Sequence, residues 1–323
     1  MVQPDSVRWR AVVIPALQMT VEAMSVGGAS HPAFLLQAPQ TTPLQACWQG
    51  ITYRLLPCAA LSADISPQQR IESLLAVVDH HVLAVLDGQP VLMLMPAVLA
   101  GHQAFAEHWL GRGGRIALRQ GEQIYPYFAG SASLALCLAR LQRLLQHYSH
   151  IWLLTLDSPL PTEAGQVCTE GYLLIRASLS QECGLRCTWH GVSQQRRHFH
   201  PDAGIASLAE TLGKYDSGQI NALVCDPFEG LISVRQFGSL WGALNTVEAN
   251  IQMQIPLLPW GRLGSLAPLL KAWWIAQQLP LCEMPNGASV LQIDLAEQGW
   301  CGGVLWHTAK GNDSIGQRRF HHG

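Results

Sequence analysis

The sequence holds only three lysines and carries a net charge of -2, so it has no cluster of cations with which to displace counterions from a nucleic acid. A nucleic-acid binder is excluded on that ground. No apolar run approaches the ~20 residues that a membrane-spanning helix needs, and one of the longest, residues 91–100, is interrupted by Pro96. No bilayer span and no membrane partner is expected. Residues 1–10 are polar and charged where a secretory leader would be apolar, which sets the expectation of a cytoplasmic protein. No low-complexity tract or interdomain linker breaks the chain. The nine cysteines are scattered and sit mostly in apolar stretches, where in a reducing compartment they read as small buried hydrophobes. Cys183 and Cys187 lack the second pair that would complete a zinc site, so neither metal nor cofactor is expected.

What the chain does have is apolar residues, 49% of 323, enough to bury a large core or two abutting ones. Their arrangement repeats. Gly130-Ser131 opens a helix carrying Leu134, Leu138, Leu141 and Leu145, followed by apolar runs at 151–156 and 172–175. Gly264-Ser265 opens another through Leu270, Trp273 and Trp274, followed by runs at 290–295 and 303–306. Apolar spacing of i, i+3, i+4 and i+7 buries one helix face on a sheet, and the short runs are the strands beneath. Further strands are expected at 10–14, 91–95, 185–189 and 220–225, and further helices at 67–86 (capped by Ser66), 203–214 and 234–249. Segments 26–44 and 194–201 read as loops. Alternation of this kind predicts a layered α/β fold of two duplicated halves, residues 1–182 and 183–323, in one compact unit.

The stretch 127–139, Tyr-Phe-Ala-Gly-Ser-Ala-Ser-Leu-Ala-Leu-Cys-Leu-Ala, resembles the nucleophile turn and buried helix of the β-ketoacyl synthases, condensing enzymes of the thiolase superfamily. Other motifs follow in the family's order. Residues 154–158, ending in Asp157-Ser158, resemble the strand after that helix; 169–175 resemble the Gly-Glu-Gly-type strand that closes the first half; and 190–202 resemble the lead into the second. The resemblance covers about residues 100–308 and implies a thiolase-like α-β-α-β-α five-layer fold. It also shows where this chain departs. A condensing enzyme takes the acyl group onto a thiolate, because cysteine is appreciably ionised near neutrality and serine is not. Here the turn reads Ala129-Gly130-Ser131-Ala132-Ser133, and Cys137 lies about two helical turns further on. Asp226 and Arg262, or their neighbours, stand where the family carries its two catalytic histidines, and an aspartate would repel charge developing on a thioester oxygen. Gly130, Ser131, Asp226 and Arg262 are therefore read as vacated family positions.

Ser131 keeps two readings, an acyl-accepting nucleophile or a helix cap, since serine at a helix start serves both chemistries. Asp226 and Glu229 are read as turn residues before catalytic acids. His190, His198 and His200 form the richest histidine group, read as a solvated loop beside Arg196 and Arg197 before a metal site. The resemblance implies a homodimer, or a heterodimer with an active β-ketoacyl synthase, with the surface at 125–128 beside the two-fold axis, and an acyl carrier protein as a further partner. The leading expectation is a non-condensing pseudoenzyme subunit in fatty-acid or polyketide-type biosynthesis that shapes an acyl pocket. The alternatives are an acyltransferase or thioester hydrolase using Ser131, and a structural scaffold without a ligand.

Overall fold

The computed structural model describes residues 8–10, 16–58, 67–82, 85–101, 123–180, 184–194, 220–225, 238, 251–278, 289–295 and 300–309. The first half contributes strands β1 (Arg8–Arg10), β2 (Leu17–Val26), β3 (Leu44–Trp48), β4 (Ile51–Leu56), β5 (Val91–Leu94), β6 (Ile124–Tyr127), β7 (Ile151–Asp157), β8 (Val167–Thr169) and β9 (Gly171–Leu179). Among the described residues its helices are α1 (Pro67–His81) and α2 (Ser133–Leu144). The second half contributes β10 (Gly184–Gln194), β11 (Ile220–Val224), β12 (Gln252–Gln254), β13 (Ser289–Leu295) and β14 (Trp300–Ala309), with helix α3 (Ala267–Gln278).

The strand order makes the duplication visible. The first half runs β6-β5-β7-β9-β2 and the second β12-β11-β13-β14-β10, joined where Leu17 pairs with Leu185. In both, the first three strands are parallel and the fourth is antiparallel to its neighbours on either side. One connectivity has been used twice. A separate small sheet, β3-β4-β8, flanks the first half.

The layers follow from side-chain alternation along the strands. Val91 and Met93 of β5 pack with Ile71, Leu74, Leu75 and Val78 of α1, whereas Leu92 and Leu94 join the cluster that holds α2 and α3. A strand buried on both faces reads as a continuous apolar run, which is why 91–95 was legible as a covered strand. Helix α2 buries Leu134, Cys137, Leu138 and Leu141, and α3 buries Leu269, Leu270, Ala272, Trp273 and Ile275. Both belong to the cluster that also takes residues from each half-sheet, so they form the middle layer.

Several boundaries differ from the sequence reading. Of the strand expected at 10–14 only Arg10 is described, as the end of β1, and residues 11–15 lie outside the described residues; β2 then buries Leu17, Met19 and Met24. Segment 26–44 is not all loop, because His31 accepts the Ala33 N–H through Nδ1 at 3.2 Å and opens a 3-10 turn at Pro32–Leu36. Helix α1 stops at His81, before the expected 86. Strand β10 continues beyond 189 to Gln194, since its pairing with β14 continues that far, and so His190 sits buried in a strand rather than in a solvated loop. The expected helices at 203–214 and 234–249, and His198 and His200, lie outside the described residues. No described helix is long and apolar enough to cross a membrane.

Candidate functional site at the paired glycine turns

The two Gly-Ser turns meet between the halves. Each is a single 3-10 turn, Gly130–Ala132 or Gly264–Leu266, leading directly into α2 or α3, and each begins on a glycine at φ +54°. That left-handed backbone lets the chain reverse from loop into helix, and it is the conformation for which glycine is the default residue. At the first turn the Gly130 N–H donates to the Met95 carbonyl at 3.0 Å, tying the turn to the end of β5. Ser133 closes it: its Oγ accepts the Ala129 N–H at 3.1 Å and donates to the Tyr127 carbonyl at 3.0 Å.

Ser131 is not a helix cap. Its hydroxyl donates across the molecule to the Gly264 carbonyl at 3.0 Å, while α2 has no side-chain cap at its N-cap residue, Ala132. The cap expected from serine's preference is thus corrected, and the hydroxyl links one turn to the other. Cys137 lies on the first buried stretch of α2, fully enclosed, with its thiol on the Leu134 carbonyl at 3.2 Å. Burial pushes that thiol up to about 12, so near neutrality it carries no thiolate.

The second turn is clamped by the end of β7. The Ser265 N–H donates to Asp157 Oδ2 at 2.6 Å, Ser265 Oγ donates to the Leu156 carbonyl at 2.9 Å, and Thr155 Oγ1 donates to the Ser265 carbonyl at 2.7 Å. Arg262 anchors the approach through its backbone, donating to Val167 O and accepting from the Thr169 N–H, both at 2.8 Å, with its Nη1 donating to Thr162 Oγ1 at 3.2 Å. So Gly130, Ser131 and the Arg262 segment converge near the junction of the halves. Asp226 lies outside the described residues. Cys225, just before it, is buried at the end of β11. Among the described residues no group of three or more His, Cys, Asp or Glu side chains is placed to hold a metal ion.

Asp157 is the titratable group of this junction. Desolvation raises its carboxyl to about 6 from the ordinary 3.8, against the opposing pull of the Ser265 N–H and the Arg262 charge. A raised carboxyl favours folding while protonated, so its contribution is complete below about pH 4 and is lost as pH rises through 6. Asp157→Asn keeps an acceptor for the Ser265 N–H and removes the titration. Wild-type stability minus that of the variant, from urea unfolding, is expected to fall by on the order of 3 kcal/mol between pH 4 and pH 7. A difference that grows with pH would mean that the carboxylate is held ionised.

Two buried polar networks escaped the sequence reading. Arg70 on α1 donates through Nε to Glu170 Oε2 at 2.8 Å and to Ser158 Oγ at 3.1 Å, fixing the loop after β7 to the start of β9. In the second half Lys271 Nζ lies 2.6 Å from Asp294 Oδ1 and donates to the Ile293 carbonyl at 2.9 Å. Gln292 donates to Asp294 Oδ2 at 2.9 Å and accepts the Trp306 indole N–H at 3.0 Å. The available signal was a lone lysine in an apolar helix and polar residues alternating with Leu291 and Ile293.

Solved structures share this architecture. A ketosynthase from module 6 of the bacillaene synthase of Bacillus subtilis 168 superposes with a TM-score of 0.59 at 12% identity, over 93% of this chain and 71% of that one. A type II polyketide ketosynthase, solved with its acyl-carrier protein and bound to the hexaketide, gives 0.54 at 10% identity, over 91% and 99%. The ishigamide ketosynthase/chain length factor gives 0.51 at 11% identity, over 91% and 98%. The fold is therefore the thiolase-like fold of the ketosynthases. No protein-family model matches the chain, and no curated protein does.

Proposed function

We propose that this chain is a non-condensing ketosynthase-like subunit that pairs with an active synthase in fatty-acid or polyketide-type biosynthesis. One observation carries the reading. At the turn that resembles the family's nucleophile turn, Gly130 presents no side chain, and the next residue, Ser131, has its hydroxyl donated to the Gly264 carbonyl. A carbonyl oxygen is not a base that could take the serine proton in an attack, which weighs against the acyltransferase and hydrolase alternatives. Cys137, the cysteine nearest in sequence, is enclosed and protonated. The role of partner is supported by neighbours in fold that include a ketosynthase/chain length factor and a ketosynthase with its carrier protein.

The subunit reading has a direct assay. Co-expressed with an active ketosynthase, taken from its gene neighbourhood where one is encoded there, the chain is expected to co-purify in a 1:1 complex by light scattering and to alter the chain length of the ketosynthase product. A chain that elutes apart from that synthase, with the product unchanged, would leave the scaffold reading in its place.

A further inference from the structure

The repeated strand order gives each core residue of one half a counterpart in the other. Met95 N–H donates to Tyr127 O and Cys225 N–H to Gln254 O, so β5 and β11 stand in the same register with their outer neighbours. Thr155 lies opposite Leu94, and Gln292 opposite Val224. Thr155, Leu156 and Asp157 therefore correspond to Gln292, Ile293 and Asp294, and the next strands agree, with Gly171 opposite Asp157 and Gly302 opposite Asp294. On the helices, Lys271 follows Gly264 at the distance at which Cys137 follows Gly130. From this correspondence we infer that Lys271 is a positioning residue: it holds the Asp294 carboxylate and the Ile293 carbonyl off the first turn, which leaves Gly130–Ala132 unclamped while Gly264–Leu266 is clamped.

At the second turn the Leu156 carbonyl accepts from Ser265 Oγ and Asp157 Oδ2 accepts the Ser265 N–H. The counterpart acceptors in the second half, Ile293 O and Asp294 Oδ1, are both taken by Lys271 Nζ, at 2.9 Å and 2.6 Å. The first turn lies against them: a Cβ on Gly302, the partner of Asp294 in the ladder, would fall 3.2 Å from Ala132 Cα. Yet Ser131 sends its hydroxyl to the Gly264 carbonyl, and its N–H has no acceptor among the described residues. The side chain at the helical counterpart decides which donor wins. An ammonium brings a full positive charge to a carboxylate where a peptide N–H brings a partial one, so Lys271 takes Asp294. Cys137 leaves Asp157 to the turn, because its short thiol stays on the Leu134 carbonyl.

Amide hydrogen exchange of the full chain, resolved residue by residue, tests this. Both amides follow a glycine, so their intrinsic exchange is matched, and in wild type the Ser131 amide is expected to exchange at least about tenfold faster than that of Ser265. Lys271→Met keeps an apolar stem of similar size and removes the charge, which frees Asp294 to accept the Ser131 N–H. Protection of Ser131 is then expected to rise at least about tenfold above wild type, although urea unfolding shows the variant to be less stable overall. A loss of packing alone would lower both. Adding Asp294→Leu to Lys271→Met removes the carboxylate and is expected to return Ser131 to its wild-type exchange. Three results would overturn the inference: a wild-type Ser131 amide as protected as that of Ser265, no gain at Ser131 in Lys271→Met, or an equal gain in the double variant. The wild-type comparison needs no substitution, so it decides the claim even if Lys271→Met does not fold.

Discussion

Gly264→Ala is expected to lower the unfolding free energy by on the order of 3–5 kcal/mol, among the largest losses available from adding one methyl group to this protein. The first part is backbone strain, since the residue sits at φ +54°. The second is a collision: a Cβ there would fall 2.1 Å from Asp157 Oδ2 and 3.3 Å from Pro159 Cβ. Asp157 cannot swing aside without releasing the Ser265 N–H that it holds at 2.6 Å. Gly50→Ala is the control, because Gly50 has φ +83° but nothing within 4 Å of its added Cβ. Strain alone costs about 1–2 kcal/mol there. If urea unfolding gave equal losses for both variants, the clamp of Asp157 on the second turn would have no energetic weight.

Lys271→Ala is expected to cost a similar 3–5 kcal/mol, for an electrostatic reason: the change leaves Asp294 buried without its cation. Both side chains are fully enclosed, with a contact of 2.6 Å between them. A paired replacement by apolar residues of similar size, Lys271→Met with Asp294→Leu, removes both charges together and is expected to recover most of the loss. The double variant also strips Gln292 of one acceptor, while the Pro268 carbonyl at 2.9 Å remains to it. A double variant as unstable as the single one would show that packing around α3, and not the buried charge, sets the cost.

Much of this fold was legible in the sequence because its core elements are apolar on every face that matters. Strand β5 and the first four residues of β7 read as unbroken apolar runs, and α2 shows helical spacing, since all three lie in covered layers. The echo of Gly130-Ser131 in Gly264-Ser265 pointed to the duplication that the repeated strand order makes plain. What stayed hidden depends on contacts distant in sequence. The Ser131 hydroxyl finds its acceptor 133 residues away, and Asp157 meets the Ser265 N–H across 108 residues. No local propensity can distinguish a serine that caps its own helix from one that reaches another turn.

The proposal that this chain carries out no condensation is tested most directly by mass spectrometry of the purified protein incubated with an acyl thioester of carrier protein and malonyl-carrier protein. The account predicts no ketoacyl product above the level of a Ser131→Ala control, and no acyl adduct on the wild-type chain. A ketoacyl product, or an adduct present in wild type and lost in Ser131→Ala, would contradict it.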